Sequence, residues 1–145
     1  MDQPVSFNTP PESTACGADA MTGNVLPLLN EIRHALERLL ESKQSTTIDL
    51  RGIPMAPGEE DHILAQLGQG EVRAVISAMG PSEVLESRYP GVWLITHYNV
   101  DEEIVGRFIE ITQMPEILNS QQDDMRDALT QLNTLFTDEV QKYQA

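Results

Sequence analysis

The sequence is short of the residues that metal, redox and nucleic-acid sites require. Its 145 residues include one cysteine, three histidines and nine Lys plus Arg, against 23 Asp plus Glu, for a formal net charge of −14. Phosphate binding depends on clusters of Lys and Arg, so this balance argues against nucleic acid and against an anionic membrane surface as partners. We expect the acidic surface to keep the protein in solution or to steer it toward a basic partner.

The single cysteine, Cys16, indicates a protein of a reducing compartment. One cysteine cannot form an internal disulfide and there is no C-x-x-C pair, which is typical of a protein in a reducing compartment. No apolar run approaches the ~20 residues that a membrane span needs, and the N-terminus is polar and proline-rich, unlike a secretion signal. We therefore predict a cytoplasmic protein with no membrane segment.

Motifs for catalysis and cofactor binding are missing as well. The chain has no Walker-type phosphate loop, no G-x-G-x-x-G entering a helix, no G-x-S-x-G elbow and no H-E-x-x-H. We expect no cofactor, no metal site and no enzyme activity. A small hydrolase that uses unpaired carboxylates or Cys16 stays open as an alternative, because a sequence does not show which carboxylates approach each other.

The histidines have ordinary structural explanations. His34 falls on the polar side of a predicted helix, so we expect it to be exposed. The run Glu59-Glu60-Asp61-His62 is interpreted as the acidic first turn of a helix, since consecutive helical residues point about 100° apart and cannot close on one ion. His97 lies in an apolar strand, where we expect a packed or hydrogen-bonded residue rather than a catalytic base.

What the chain does have is a run of strands in residues 67–112. Gly, Pro and Asn divide this stretch into segments rich in β-favouring residues, which predicts an antiparallel meander. The predicted strands are Glu71–Met79, Glu83–Tyr89, Val92–Tyr98 and Ile104–Ile111. Val92–Tyr98 is apolar at nearly every position and is predicted to be the centre of the sheet, and a short strand at Thr46–Leu50 is expected at an edge.

Three amphipathic helices surround these strands. The first follows a predicted cap at Asn24, the short second one lies between Pro57 and Gly68, and the third follows Ser120. The apolar stripe of the third helix comprises Met125, Ala128, Leu129, Leu132, Leu135, Phe136, Val140 and Tyr143. We expect this stripe to join the core, with docking onto a second subunit or a partner as the alternative.

Together these elements predict an α+β fold in one domain. An antiparallel β-meander of three to five strands packs against an N-terminal helix, a short middle helix and a C-terminal helix. The length fits a single domain over residues 24–145, preceded by a flexible arm over residues 1–23 that is rich in Pro, Ser, Thr and Gly.

Five segments resemble the C-terminal domain of the HupH/HyaF family of [NiFe]-hydrogenase expression and maturation proteins. They are LLNEIRHALERLLES at Leu28–Ser42, TTIDLRGIPMAPGEED at Thr46–Asp61, LGQGEVRA at Leu67–Ala74, YPGVWLITHYN at Tyr89–Asn99 and FIEITQMPEIL at Phe108–Leu118. The resemblance implies a non-catalytic, chaperone-like helper that binds the immature hydrogenase large subunit, with other maturation proteins as further partners. Typical members carry two copies of this domain and this chain carries one, which leaves a homodimer open.

The family has no catalytic motif to transfer, so we select a partner-binding site from the residues. Pro90, Gly91, Val92 and Trp93 are predicted to contact the partner, because a Pro-Gly corner carries the only tryptophan and aromatic side chains often dominate interfaces. The alternative is that Trp93 fills the core. A homodimeric scaffold and a small-ligand sensing module stay open as alternative functions.

Overall fold

The predicted α+β fold class is confirmed by a computed structural model of the protein. The structure describes residues 23–144, and within them it shows three α-helices and one five-stranded antiparallel sheet. Cys16 and residues 1–22 of the predicted arm lie outside the described residues. The boundary between arm and domain therefore stays a prediction.

The helices occupy the predicted parts of the chain. They are α1 (Val25–Ser42), α2 (Glu59–Leu67) and α3 (Gln122–Gln144). Asn24 does precede α1, but its side-chain amide donates to the Pro54 carbonyl at 2.6 Å instead of capping the first turn. The helix α2 starts with three acidic residues, which meet the positive end of the helix dipole, and it stops before Gly68, whose N–H donates to the Leu64 carbonyl.

The sheet has the predicted connections. Its strands are β1 (Thr46–Asp49), β2 (Arg73–Ile76), β3 (Ser82–Glu86), β4 (Val92–Tyr98) and β5 (Ile104–Ile111), in the spatial order β1-β5-β4-β3-β2. Strands β2 to β5 form the meander with β4 in the middle and β1 at an edge, as predicted. Strand β3 ends earlier than predicted because the Ser87 hydroxyl donates to the Tyr89 carbonyl and accepts from its N–H, which closes a turn.

The two faces of the sheet carry separate buried clusters. On the first face α1 and α2 pack against side chains such as Val92, Ile109 and Ile111. On the second face the buried cluster consists of Val84, Trp93 and Ile95, with partly buried neighbours that include Leu118. Because successive strand residues point to opposite faces, β4 contributes to both clusters and forms the middle of the protein.

The last helix differs from the expectation. No residue of α3 is buried, so the prediction that its apolar stripe joins the core is wrong. Both buried clusters are built from the sheet, α1, α2 and residues before α3, and helical periodicity by itself does not decide what covers a stripe. Within residues 23–144 no helix is both long and apolar enough to span a membrane.

Candidate partner-binding surfaces

The histidines of the structure lie apart from one another. His34 is exposed on α1, with Nδ1 3.2 Å from the Glu37 carboxylate, as predicted. His97 Nδ1 lies 2.7 Å from the Ser82 hydroxyl, and the ring packs edge-on against Phe108 at 5.7 Å between centroids, which confirms a hydrogen-bonded and packed residue. No group of three or more His, Cys, Asp or Glu side chains in residues 23–144 is arranged to hold a metal ion.

The acidic run at the start of α2 spreads in different directions. Glu59 is fully buried and accepts hydrogen bonds from the N–H groups of Gly23 and Ala56 at 2.9 and 3.1 Å, so it joins the start of α1 to the start of α2. Glu60 forms an ion pair with Arg107 on β5 at 2.8 Å. The run is therefore a helix N-terminus, as predicted, and its first two carboxylates support the fold.

A cavity of about 220 Å³ beside β2 and β3 contains several carboxylates, which bears on the hydrolase alternative. The Glu83 carboxylate pairs with Arg73 across the two strands at 2.8 Å. The Glu86 carboxylate accepts the backbone N–H of Glu71 at 3.1 Å. These side chains brace neighbouring strands, which is a structural task.

Glu110 on β5 is an unusual carboxyl group. Its Oε2 atom is buried and has no hydrogen-bond partner, and it lies on the second face of the sheet opposite Trp93. Burial raises the pKa of Glu110, the nearby Glu116 raises it further, and His97 acts in the opposite direction. A charged carboxylate at this position therefore costs stability.

The predicted corner is split between solvent and core. The chain turns at Gly91, which has φ of +90°, and the Val92 N–H donates to the Tyr89 carbonyl at 3.0 Å. Pro90 is exposed, whereas Val92 is 1% and Trp93 6% exposed. The Trp93 indole N–H donates to the carbonyl of Thr112 at 3.1 Å. That a partner contacts this corner stays a prediction. Of its four residues only Pro90 is exposed, and Tyr89, just before the corner, is exposed as well.

A groove between α1 and α2 begins beside this corner. Two cavities of about 400 and 280 Å³ share Leu29 and Gln66 in their walls, and we call them together the α1–α2 groove. Its lining comprises Gly23, Val25, Leu26, Leu29, Ile32, Arg33, Leu36, Glu59, His62, Gln66, Leu67, Tyr89 and Val92. Apolar side chains form most of the wall, and Val92 of the predicted corner lies with Tyr89 at one end.

A second candidate surface is the apolar side of α3. Seven large apolar side chains lie there, between 38% exposed at Val140 and 86% at Tyr143. We call these residues the α3 stripe: Met125, Leu129, Leu132, Leu135, Phe136, Val140 and Tyr143. Exposed apolar surfaces of this extent mark interaction sites in soluble proteins.

Comparison with known proteins identifies the family. A family model described as the C-terminal conserved region of the HupH hydrogenase expression protein matches residues 22–138. The chain belongs to this HupH family. A solved structure of the hydrogenase expression protein HupH from Thiobacillus denitrificans ATCC 25259 is 39% identical, with a TM-score of 0.77 over 82% of this chain and 99% of that one.

Curated relatives of this HupH-family chain are also named for hydrogenase expression and formation. The hydrogenase expression/formation protein HupH of Rhizobium leguminosarum bv. viciae is 26% identical over 82% of this chain, and HoxQ of Azotobacter vinelandii is 24% identical over 77%. These matches span 42% and 40% of the relatives' own lengths. The chain therefore corresponds to less than half of each of these two proteins.

Sequence reasoning missed the α1–α2 groove on this HupH-family domain. The α1–α2 groove brings residues near Leu29 together with Gln66 and Tyr89, and such distant residues give no common sequence signal. Strand alternation was available to show that Val92 and Trp93 point to opposite faces of the sheet.

Proposed function

We propose that this chain is a non-catalytic accessory protein in hydrogenase expression and formation. In this proposal it acts in the cytoplasm as a chaperone that binds the immature large subunit of a [NiFe]-hydrogenase, and other maturation proteins are further partners. The observation that carries the proposal is the HupH family match over residues 22–138. The related proteins are named for hydrogenase expression and formation, and those names describe an accessory role.

The α1–α2 groove supports a role in binding a protein segment. Its apolar wall, between Leu26 at one end and Tyr89 at the other, suits the apolar face of a helix or an extended segment. The formal charge of −14 favours a partner segment with basic residues around its apolar anchors. The predicted corner takes part through Val92, which lies with Tyr89 at one end of the groove.

Affinity capture from hydrogenase-expressing cells tests this function. The full chain, tagged and expressed at native level, is expected to recover the unprocessed large subunit, identified by mass spectrometry. Recovery of mature enzyme alone, or of no hydrogenase subunit, contradicts the proposal.

Two leucines on α1 provide a matched pair of variants for the groove. Leu26 lines the groove and is 78% exposed, whereas Leu40 is 81% exposed on the same helix and is not part of the groove lining. Losing one buried leucine contact costs roughly 1.5–3 kcal/mol, so Leu26→Glu is expected to weaken precursor binding at least about tenfold. Leu40→Glu is expected to bind like the wild type. Equal binding by both variants places the site elsewhere.

The larger cavity also favours a second candidate function, the small-ligand sensing module. A volume of about 400 Å³ with a mostly apolar wall falls in the range of small-molecule sites. Native mass spectrometry of the purified chain tests this alternative. A constant added mass that disappears in Leu26→Glu supports it, and a bare chain mass contradicts it.

A further inference from the structure

The α3 stripe has the spacing of a two-stranded coiled coil. Met125, Leu129, Leu132 and Phe136 follow one another at alternating steps of four and three residues, and Tyr143 continues the row one heptad after Phe136. This is the period with which one helix buries its apolar side chains against another. The helix has 23 residues, a length of about 34 Å.

We propose that α3 pairs with α3 of a second copy of this chain, side by side and antiparallel, to form a homodimer. The proposal concerns a different surface from the α1–α2 groove, so it stands or falls independently of the proposed function. Its first support is the arrangement of the stripe around the middle of the helix.

The stripe is close to symmetric about a point between Leu132 and Asn133. Leu129 and Phe136 lie equally far from this point, and so do Met125 and Val140. A two-fold axis through it therefore places each of these side chains opposite its counterpart in the second copy, apolar against apolar. Such an isologous contact closes on itself and gives a dimer rather than a fibre.

The charges beside the stripe favour the antiparallel arrangement. Lys142 follows Asp124 by about five turns of helix, so both lie on the same edge of the stripe, about 80° from Leu132. Antiparallel pairing places Asp124 of each copy close to Lys142 of the other, which gives two pairs of opposite charge. Lys142 lies 3.3 Å from Glu139 of its own helix, and an ammonium group has donors for both carboxylates.

Parallel pairing gives the opposite result. It sets the acidic first turn, with Asp123 and Asp124, beside the same turn of the second copy and aligns the two helix dipoles. Repulsion between these like charges therefore disfavours the parallel pair. The remaining like-charged positions in the antiparallel pair, Asp127 and Asp138, point about 140° and 120° away from Leu132, toward solvent. Glu139 occupies the position between Phe136 and Tyr143 in the row, and its side chain is about half exposed in the single chain, beside Lys142.

The oligomeric state of the full chain is the first test. Light scattering coupled to gel filtration is expected to give twice the chain mass of 16.1 kDa. Leu132→Glu places two negative charges near the two-fold axis and is expected to raise the dimer dissociation constant at least tenfold. Thr130→Glu makes the same charge change on the outward side of α3 and is expected to leave the dimer intact.

Two outcomes overturn the proposal: a wild type that is monomeric at all concentrations, and a Leu132→Glu dimer as stable as that of Thr130→Glu. A monomeric wild type whose precursor capture depends on Leu132 would assign the stripe to the hydrogenase precursor. Circular dichroism of both variants checks that α3 remains helical.

Cysteine cross-linking tests the orientation. In a Cys16→Ser background, Met125→Cys and Val140→Cys are expected to form an intermolecular disulfide when the two proteins are mixed. Neither is expected to do so alone, because only an antiparallel pair brings position 125 of one copy near position 140 of the other. Efficient cross-linking of either variant by itself indicates a parallel pair and overturns the orientation.

Discussion

The helices α1 and α3 have similar sequence patterns and opposite environments. In α1 the stripe residues Leu28 and Ile32 are 3% and 5% exposed, whereas in α3 Leu129 and Leu132 are 60% and 61% exposed. In both helices the apolar residues recur with the helical period and form one side, opposite a charged side. The comparison shows that periodicity identifies which side of a helix is apolar and leaves open what covers that side.

The connections of the two helices explain the difference. The Glu59 carboxylate ties the chain ahead of α1 to α2, and the Ser45 hydroxyl after α1 donates to the Thr112 hydroxyl beyond β5 at 3.0 Å. These contacts tie the start of α1 to α2 and the chain after its end to the end of β5. The side-chain hydrogen bonds of α3 in the described residues, such as Arg126 to Asp123, join residues of the helix itself.

The largest expected effect concerns Trp93, a buried residue of the predicted corner. Trp93→Ala removes a 6% exposed side chain and leaves a cavity, so we expect a loss of about 3–5 kcal/mol in the free energy of unfolding. Thermal unfolding followed by circular dichroism measures it, with the exposed neighbour Tyr89→Ala as control. An unchanged melting temperature combined with lost precursor capture would show that Trp93 is a contact residue.

A matched pair of leucine truncations tests the comparison of the two helices directly. Leu28→Ala in α1 is expected to cost about 2–5 kcal/mol, because the side chain is in the core. Leu132→Ala in α3 is expected to change the free energy of unfolding by less than about 0.5 kcal/mol. Denaturant unfolding, followed by Trp93 fluorescence at a concentration where the chain is monomeric, measures the stability of the sheet and the helices packed on it. Similar losses for both would mean that α3 packs on the body in solution.

The smallest expected effect concerns Glu110 in the second face of the sheet. Its folded-state pKa lies above the ordinary value of 4.5, so the folded protein holds the proton more tightly and stability falls as pH rises through the folded pKa. Glu110→Gln is therefore expected to stabilise the protein at pH 7, by at most about 1 kcal/mol since the group is only partly buried.

The pH dependence of this stability gain tests whether it comes from the charge of Glu110. The gain from Glu110→Gln is expected to shrink as the pH falls to about 3, where the wild-type carboxyl is largely protonated in both states. Glu41→Gln on the exposed side of α1 is the control and is expected to change little at either pH. A gain that is independent of pH would assign the effect to packing rather than to charge.

Local pattern was sufficient for most of the fold. The alternation in Glu71–Met79 and the nearly continuous apolar run at Val92–Tyr98 predicted the meander and its centre, because side-chain period and burial on two faces are local properties of a strand. The partner-binding surfaces were harder. The choice of Trp93 relied on its residue type and its place after a Pro-Gly corner, and the exposed Tyr89 just before that corner was not singled out.

The sequence by itself determined the elements of this protein, their order and the apolar side of each helix, since these depend on residues close together in the chain. It also carried the family resemblance, through segments such as Tyr89–Asn99. Only the tertiary structure decided which apolar sides are covered. That outcome depends on how distant elements meet: α1 lies against the sheet and α2, Trp93 is enclosed on the opposite face, and the α3 stripe remains exposed.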